Sequence, residues 1–185
     1  MSREGKDKPG VAKLAGDGET VLVTGGGGFL GGAIVAQLLA AGFSVRSFAR
    51  GDYPELHRRG VTVIRGDLTN AEAVKRACEG CAVVFHNAAK AGVWGDFDSF
   101  YRPNVIGTKN VIAACAGTGV GRLVFTSSAS VVFSDADMAG VDETVPYPEQ
   151  PRSPYTATKA EAERMVLAAN GPVLKTLSLR PHLIW

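Results

Sequence analysis

The sequence is poor in cysteine, in long apolar runs and in charge of one sign, and each shortage excludes something. Three cysteines, an odd number, do not make a disulfide framework. Cys78-Glu79-Gly80-Cys81 has the spacing of a redox pair or of half a zinc site. A redox pair wants its first cysteine at a helix N-terminus, whereas this one closes a helical pattern just before a strand. No second Cys-x-x-Cys or His-x-x-His supplies further zinc ligands, so no metal is expected and Cys78, Cys81 and Cys115 read as buried or turn residues. No apolar stretch approaches the roughly 18 to 20 residues of a membrane span. Net charge is only +2, with Lys and Arg scattered, which leaves a nucleic-acid partner without electrostatic support. The first ten residues lack a signal peptide's apolar segment and contain acids that a transit peptide avoids. The chain reads as a soluble cytoplasmic protein.

What the sequence does have is short apolar segments in regular succession. With 45% hydrophobic and 21% charged residues, its composition suits one globular domain long enough to bury a core. Residues 1–18 are polar and read as a flexible tail; residues 19–185 read as the domain. Residues 20–24 form an apolar strand that runs into glycines. Leu30, Ile34 and Leu38 then recur at helical spacing up to a stop at Gly42. Residues 44–48 and 61–65 read as the second and third strands. Thr69 or Asn70 can cap a helix over 71–79. Residues 82–86 are a fourth strand, 105–116 an apolar helix, and 122–126 a fifth strand. A helix over 155–169 and a strand over 173–179 complete the series. Such strands, alternating with helices, imply an α/β fold with a parallel sheet covered on both faces. Right-handed crossovers favour a Rossmann-type doubly wound sheet of order 3-2-1-4-5-6, which binds ligands beyond the carboxyl ends of its strands.

The glycines lie at that edge. In Thr24-Gly25-Gly26-Gly27-Gly28-Phe29-Leu30-Gly31, a strand precedes the loop and an amphipathic helix starts inside it, which no linker requires. The free N–H groups and positive end of that helix attract phosphate, and glycine lets a pyrophosphate approach the backbone. A dinucleotide is the expected cofactor. Two registers fit, Gly26-x-Gly28-x-x-Gly31 and Gly25-x-x-Gly28-x-x-Gly31. An acid at the end of the second strand would select NAD through the ribose 2′-hydroxyl; here the strand ends in Ala49-Arg50, and Arg50 can fork onto a 2′-phosphate. NADP(H) is therefore favoured, and Asp52 close by keeps NAD(H) as the second candidate.

Tyr155-Thr156-Ala157-Thr158-Lys159 puts a phenol and an ammonium on one helical face. A phenol titrates near 10, and a nearby ammonium is expected to pull that value down toward acid–base work at neutral pH. The fifth strand ends in Thr126-Ser127-Ser128-Ala129-Ser130, facing the same crevice, where a serine hydroxyl can hold a reacting oxygen.

These segments, with Gly66-Asp67-Leu68, Asn87-Ala88-Ala89, Asn104-Val105-x-Gly107-Thr108 and Arg180-Pro181, come in the order seen in extended short-chain dehydrogenases/reductases. Residues 20–185 most resemble the 3β-hydroxysteroid dehydrogenase branch, near bacterial members similar to 2-alkyl-3-oxoalkanoate reductases. The resemblance implies that Gly25, Gly28 and Gly31 line the pyrophosphate with Phe29 and Leu30, leaving Gly26 and Gly27 as intervening residues tolerant of a small side chain. It implies that Asp67 and Leu68 flank the adenine, and that the cofactor passes Ala88, Ala89 and Lys90. Lys159 would hold the nicotinamide ribose beside Tyr155, and Pro181 and Leu183, around His182, would meet the carboxamide. Ser128, Tyr155, Lys159 and Asn104 would be the catalytic set, with Ser130 the alternative serine.

The expected activity is interconversion of a ketone and a secondary alcohol on an apolar substrate, a β-keto acid or a sterol. Val93, Trp94 and Phe97 after the fourth strand suggest its pocket. Nucleotide-sugar epimerases and dehydratases share most of these motifs, although the acidic pair of the dehydratases is replaced by Ala129 and Ser130. A binding protein without turnover would not need the Ser, Tyr and Lys set. Relatives continue beyond a point equivalent to Trp185, so the chain reads as an amino-terminal portion, expected to turn over poorly by itself. The resemblance also implies a homodimer through the helices near 105–116 and 155–169.

Overall fold

The computed structural model describes residues 18–92, 94–133, 139–182 and 184. Six parallel strands form one sheet in the order β3-β2-β1-β4-β5-β6, as the alternation of elements predicts. They are β1 (Thr20–Thr24), β2 (Ser44–Ala49), β3 (Thr62–Arg65), β4 (Cys81–His86), β5 (Arg122–Thr126) and β6 (Lys175–Leu179). The helices are α1 (Phe29–Ala40), α2 (Pro54–Arg58), α3 (Ala71–Cys78), α4 (Phe97–Tyr101), α5 (Gly107–Thr118) and α6 (Pro154–Ala168).

Alternation along the central strands divides the core in two. Val21 and Val23 of β1 join Val35 and Leu38 of α1, Val45 and Val83 on one face. Leu22 points the other way, with Val84, Leu123 and Phe125, into a cluster closed by α3, α5 and α6. Both faces of β1 are buried, which is why it reads as an unbroken apolar run. Cys78, Cys81 and Cys115 are buried. No helix among the described residues is long and apolar enough to cross a membrane.

The helix expected at 105–116 starts differently. Arg102–Ile106 is a π turn joining α4 to α5, and the Gly107 N–H reaches five residues back to the Arg102 carbonyl. Pro103 explains it: it has no N–H to give and its ring crowds the carbonyl four residues earlier, so the turn widens. The short helices α2 and α4 were absent from the sequence reading. Asn70 caps α3, its side chain accepting from the Ala73 N–H at 3.0 Å.

Candidate active site

Because β1, β4, β5 and β6 are adjacent and parallel, their carboxyl ends bring the glycine loop, Ala88, Ser128 and Pro181 to one edge. Gly25 leaves β1 with φ of +72°, a conformation that disfavours a side chain. Its N–H bonds the Phe48 carbonyl at 2.8 Å, and its carbonyl accepts from the Gly28 N–H at 3.0 Å. Gly28 then caps α1 with no side-chain hydrogen bond, so the first-turn N–H groups have no side-chain capping partner. At Gly31 a Cβ would overlap the Gly25 carbonyl oxygen and lie 2.8 Å from its carbon. The helix packs on the turn itself. Ala88 seals the other side: a Cβ on Gly25 would stand 3.1 Å from the Ala88 Cα.

Beneath this loop runs a chain of hydrogen bonds whose directions are fixed. Thr108 donates to the Asn104 carbonyl at 2.6 Å, so its oxygen accepts from His86 Nε2 at 2.9 Å. His86 Nδ1 is then the acceptor, and Thr24 donates to it at 2.9 Å. The Thr24 oxygen is thereby free to accept the N–H groups of Asn87 and Ala88, at 3.1 and 3.0 Å. Burial, with a smaller push from the Lys159 charge, drives His86 down to about 3, so this imidazole is neutral. The π turn delivers Asn104 to the same layer. Its Oδ1 accepts from the Lys90 N–H at 2.8 Å, and its Nδ2 donates to the Lys90 carbonyl and to Thr158 Oγ1, both at 3.1 Å. The amide thus ties the segment after β4 to α6.

On the far side, Ser153 and Thr156 form a capping box that starts α6 at Pro154. Tyr155, on the first turn, is partly buried, and the Ser128 hydroxyl acts on its phenol. Burial raises its phenol, and the Ser128 hydroxyl opposes that rise. The lowering expected from Lys159 is not what the protein groups produce. Lys159 instead donates to the Thr126 carbonyl at 2.6 Å and lies 3.9 Å from the centre of the Phe125 ring. Burial brings it down to about 7, against the opposing pull of Glu163. Ser128 and Ser130 share a hydrogen bond of 2.8 Å, so both candidate serines stand together. The Ala129 N–H bonds the Pro181 carbonyl at 3.1 Å, which places Pro181 beside them.

With this geometry in hand, the sequence pattern of the 3-beta hydroxysteroid dehydrogenase/isomerase family matches residues 22–185. The chain belongs to that family. It is 48% identical over 192 residues to a 2-alkyl-3-oxoalkanoate reductase of Shewanella oneidensis, covering 100% of this chain and 50% of that protein. A 2-alkyl-3-oxoalkanoate reductase of Stenotrophomonas maltophilia is 54% identical over 168 residues, 89% of this chain and 51% of its own. The chain thus spans about half the length of these curated relatives. Among solved structures, MoeE5 in complex with UDP-glucose and NAD superposes with a TM-score of 0.74 at 37% identity, over 89% of this chain and 54% of its own.

Other residues anticipated for this family member are less uniformly placed. Arg50, Gly66 and Asp67 line an open cavity of about 440 Å³ together with Arg65, which sequence reasoning missed. Arg65 pairs with Ala49 across β2 and β3, next to Arg50. Asp67 turns its carboxylate onto the N–H and hydroxyl of Thr69, both at 2.8 Å; the Thr69 N–H is the main cause of its lowered pKa. Leu68 is buried and its carbonyl accepts from Asn110, so its side chain packs in the core. Phe29 is exposed at the start of α1, and Leu30 is partly buried. Lys90 directs its ammonium to Ser99 and the face of Phe100. Trp94 and Phe97 are exposed. Leu183 and Val93 lie outside the described residues.

The tolerance expected at Gly26 and Gly27 fails on space. A Cβ at Gly26 would come within 2.5 Å of Ser47 Oγ, and one at Gly27 would enter the Tyr53 ring. Two neighbours from β2 and the loop after it pack against glycines whose role looked like spacing. His86, Thr158 and Glu163 also escaped the sequence reading. Glu163 had a signal, since it stands one helical turn beyond Lys159.

Proposed function

We propose that the protein carries the dinucleotide half of an NADP(H)-dependent oxidoreductase that interconverts a ketone and a secondary alcohol on an apolar substrate. The observation that carries this reading is the meeting, at the sheet edge that also holds the glycine loop, of the Ser128–Ser130 pair with α6, whose first turn bears Tyr155 and whose next turn bears the buried Lys159 held on the Thr126 carbonyl. The reductase names of the two curated relatives support the ketone chemistry, and the NAD of the solved neighbour supports a dinucleotide.

The residues present fit that cofactor. Gly31 lets α1 start directly against the turn at Gly25, α1 offers an N-terminus without a side-chain cap to a pyrophosphate, and Arg50 with Arg65 offers two guanidinium groups to a 2′-phosphate. A bound nicotinamide supplies or accepts the hydride. Tyr155 gives its proton to the carbonyl oxygen as that oxygen gains charge, and takes it back in the reverse direction. Ser128 holds the oxygen in line with the phenol. Lys159, held on the Thr126 carbonyl, would hold the nicotinamide ribose. Asn104 has spent its amide on Lys90 and Thr158 and acts by holding the floor of the site. Pro181 would border the nicotinamide end, and Asp67 and Ala88 would border the adenine and the passage between them.

The test is the Tyr155→Phe variant, made side by side on this chain and on a version extended to the relatives' length. Following NADPH absorbance with β-keto acids and sterol ketones, turnover is expected to fall ~100-fold or more while dinucleotide binding is retained. Retention of most of the turnover would refute the assignment. The same panel with UDP-glucose tests the nucleotide-sugar reading suggested by the solved neighbour.

A further inference from the structure

Glu163 is fully buried on α6, one turn beyond Lys159. Its Oε1 accepts the Tyr147 hydroxyl at 2.6 Å and both Nε and Nη2 of Arg180, at 2.9 and 2.6 Å; its Oε2 accepts the Ser178 hydroxyl at 3.0 Å. Burial works to raise this carboxyl, and the bonds led by Arg180 outweigh it, leaving it below the usual carboxylate range. Three separate pieces of chain therefore meet on one carboxylate: the loop before α6 through Tyr147, the end of β6 through Ser178 and Arg180, and α6 itself.

A buried ion pair is poor value as a stability device, because desolvation of both charges offsets most of their attraction. What it does well is fix geometry. Arg180 is followed by Pro181, whose carbonyl holds the Ala129 N–H beside Ser128. The fork from Arg180 to Glu163 thus anchors the backbone bordering the serine. The second connection is electrostatic. Lys159 stands one helical turn from both Tyr155 and Glu163 on α6, meets the Thr126 carbonyl and Phe125 ring on β5, and acts on the neutral His86 on β4. Of these, Glu163 alone brings a formal negative charge at neutral pH.

We propose that Glu163 is a positioning residue of this site: buried one helical turn beyond Lys159, it sets the surroundings of that amine, while its fork with Arg180 fixes the strand end beside Ser128. The proposal rests on the reading of Lys159 as part of the active site, and its test works whether or not that reading holds. In a chain labelled with ¹³Cε-lysine, the Lys159 resonance, assigned by its loss in Lys159→Met, is titrated against pH. The wild-type midpoint is expected near 7, the value to which burial brings this amine. Glu163→Gln is expected to lower it by about one pH unit, and Glu163→Asp by less. NADPH binding at pH 7.5, followed by fluorescence, should weaken in the same order. A purely structural carboxylate would lower the melting temperature of Glu163→Gln without moving the midpoint, and that result overturns the proposal. Should Glu163→Gln not fold, Glu163→Asp carries the test, and an unmoved midpoint there overturns it. Failure of the wild-type chain to bind any dinucleotide would instead refute the proposed function, with the midpoint still reporting on Glu163.

Discussion

Replacing Gly31 by alanine perturbs the phosphate loop at its tightest point. The new Cβ would overlap the Gly25 carbonyl oxygen and stand 2.8 Å from its carbon and 3.0 Å from the Gly26 Cα. All three are backbone atoms, so no rotamer relieves the contact, and α1 must retreat by roughly 1 Å to reach van der Waals distance. That retreat loosens Val35 and Leu38 from the β1 face they share. Overpacking of this kind costs about 1–3 kcal/mol, or roughly 2–12 °C in melting temperature for a domain of this size. It also draws the first-turn N–H groups away from a pyrophosphate, so dinucleotide affinity is expected to fall ~10-fold or more, equivalent to about 1.4 kcal/mol. Gly32→Ala is the control: its nearest obstacle is the Gly26 carbonyl oxygen at 3.7 Å, an ordinary contact. Helix propensity favours that change by up to about 1 kcal/mol. Thermal unfolding and calorimetric titration with NADPH measure both variants. A Gly31→Ala chain that melts within about 1 °C of wild type and binds NADPH equally would refute the packing argument.

Two further outcomes follow from the charges described. Arg50→Ala is expected to weaken NADPH binding roughly 10-fold or more and NADH binding by little, because only the 2′-phosphate needs the guanidinium; Arg65→Ala should act in the same direction, and equal losses for both cofactors would remove the 2′-phosphate assignment. His86, held at about 3 when folded, binds its proton near 6.5 when unfolded. The unfolded state therefore gains protons first, and the stability this neutral imidazole contributes is present above 6.5 and lost as pH falls toward 3. Between pH 6.5 and 4.5 the wild-type chain should lose roughly 2–3 kcal/mol more than His86→Asn in denaturant titrations; identical slopes would mean that His86 is protonated in the fold.

The sheet order was legible because burial on both faces leaves β1 and β4 without polar interruptions, and such strands separated by helices allow few arrangements. The glycine loop was legible as a strand–turn–helix junction, but its register was not: two fitted locally, and only the resemblance carried by Ser128, Tyr155 and Lys159 far along the chain pointed to Gly25. What escaped depends on neighbours far along the chain. Tyr53 and Ser47 fill the space beside Gly27 and Gly26, and nothing in a run of glycines says so. A lone histidine in an apolar strand reads as core, and only the approach of Thr24 and Thr108 turns His86 into a strut. The Tyr155 phenol was expected to feel its helical neighbour, but Lys159 found a carbonyl on β5 first. Helices α2 and α4, five residues each, are too short for a 3.6-residue period to register.

The widened turn at Arg102–Ile106 has a consequence for chain length. Such a turn holds one more residue than the α-helix it interrupts, so its effect is a matter of residue count as well as of shape. Deleting a single residue there would restore regular winding, leaving the flanking helices near their present phase but turning the residues of the turn itself to new directions. Asn104 would swing off Lys90 and Thr158 together, although its identity and its place in the sequence order were unchanged. A substitution table would record nothing at that position; an alignment gap of one would record the loss of the floor of the site.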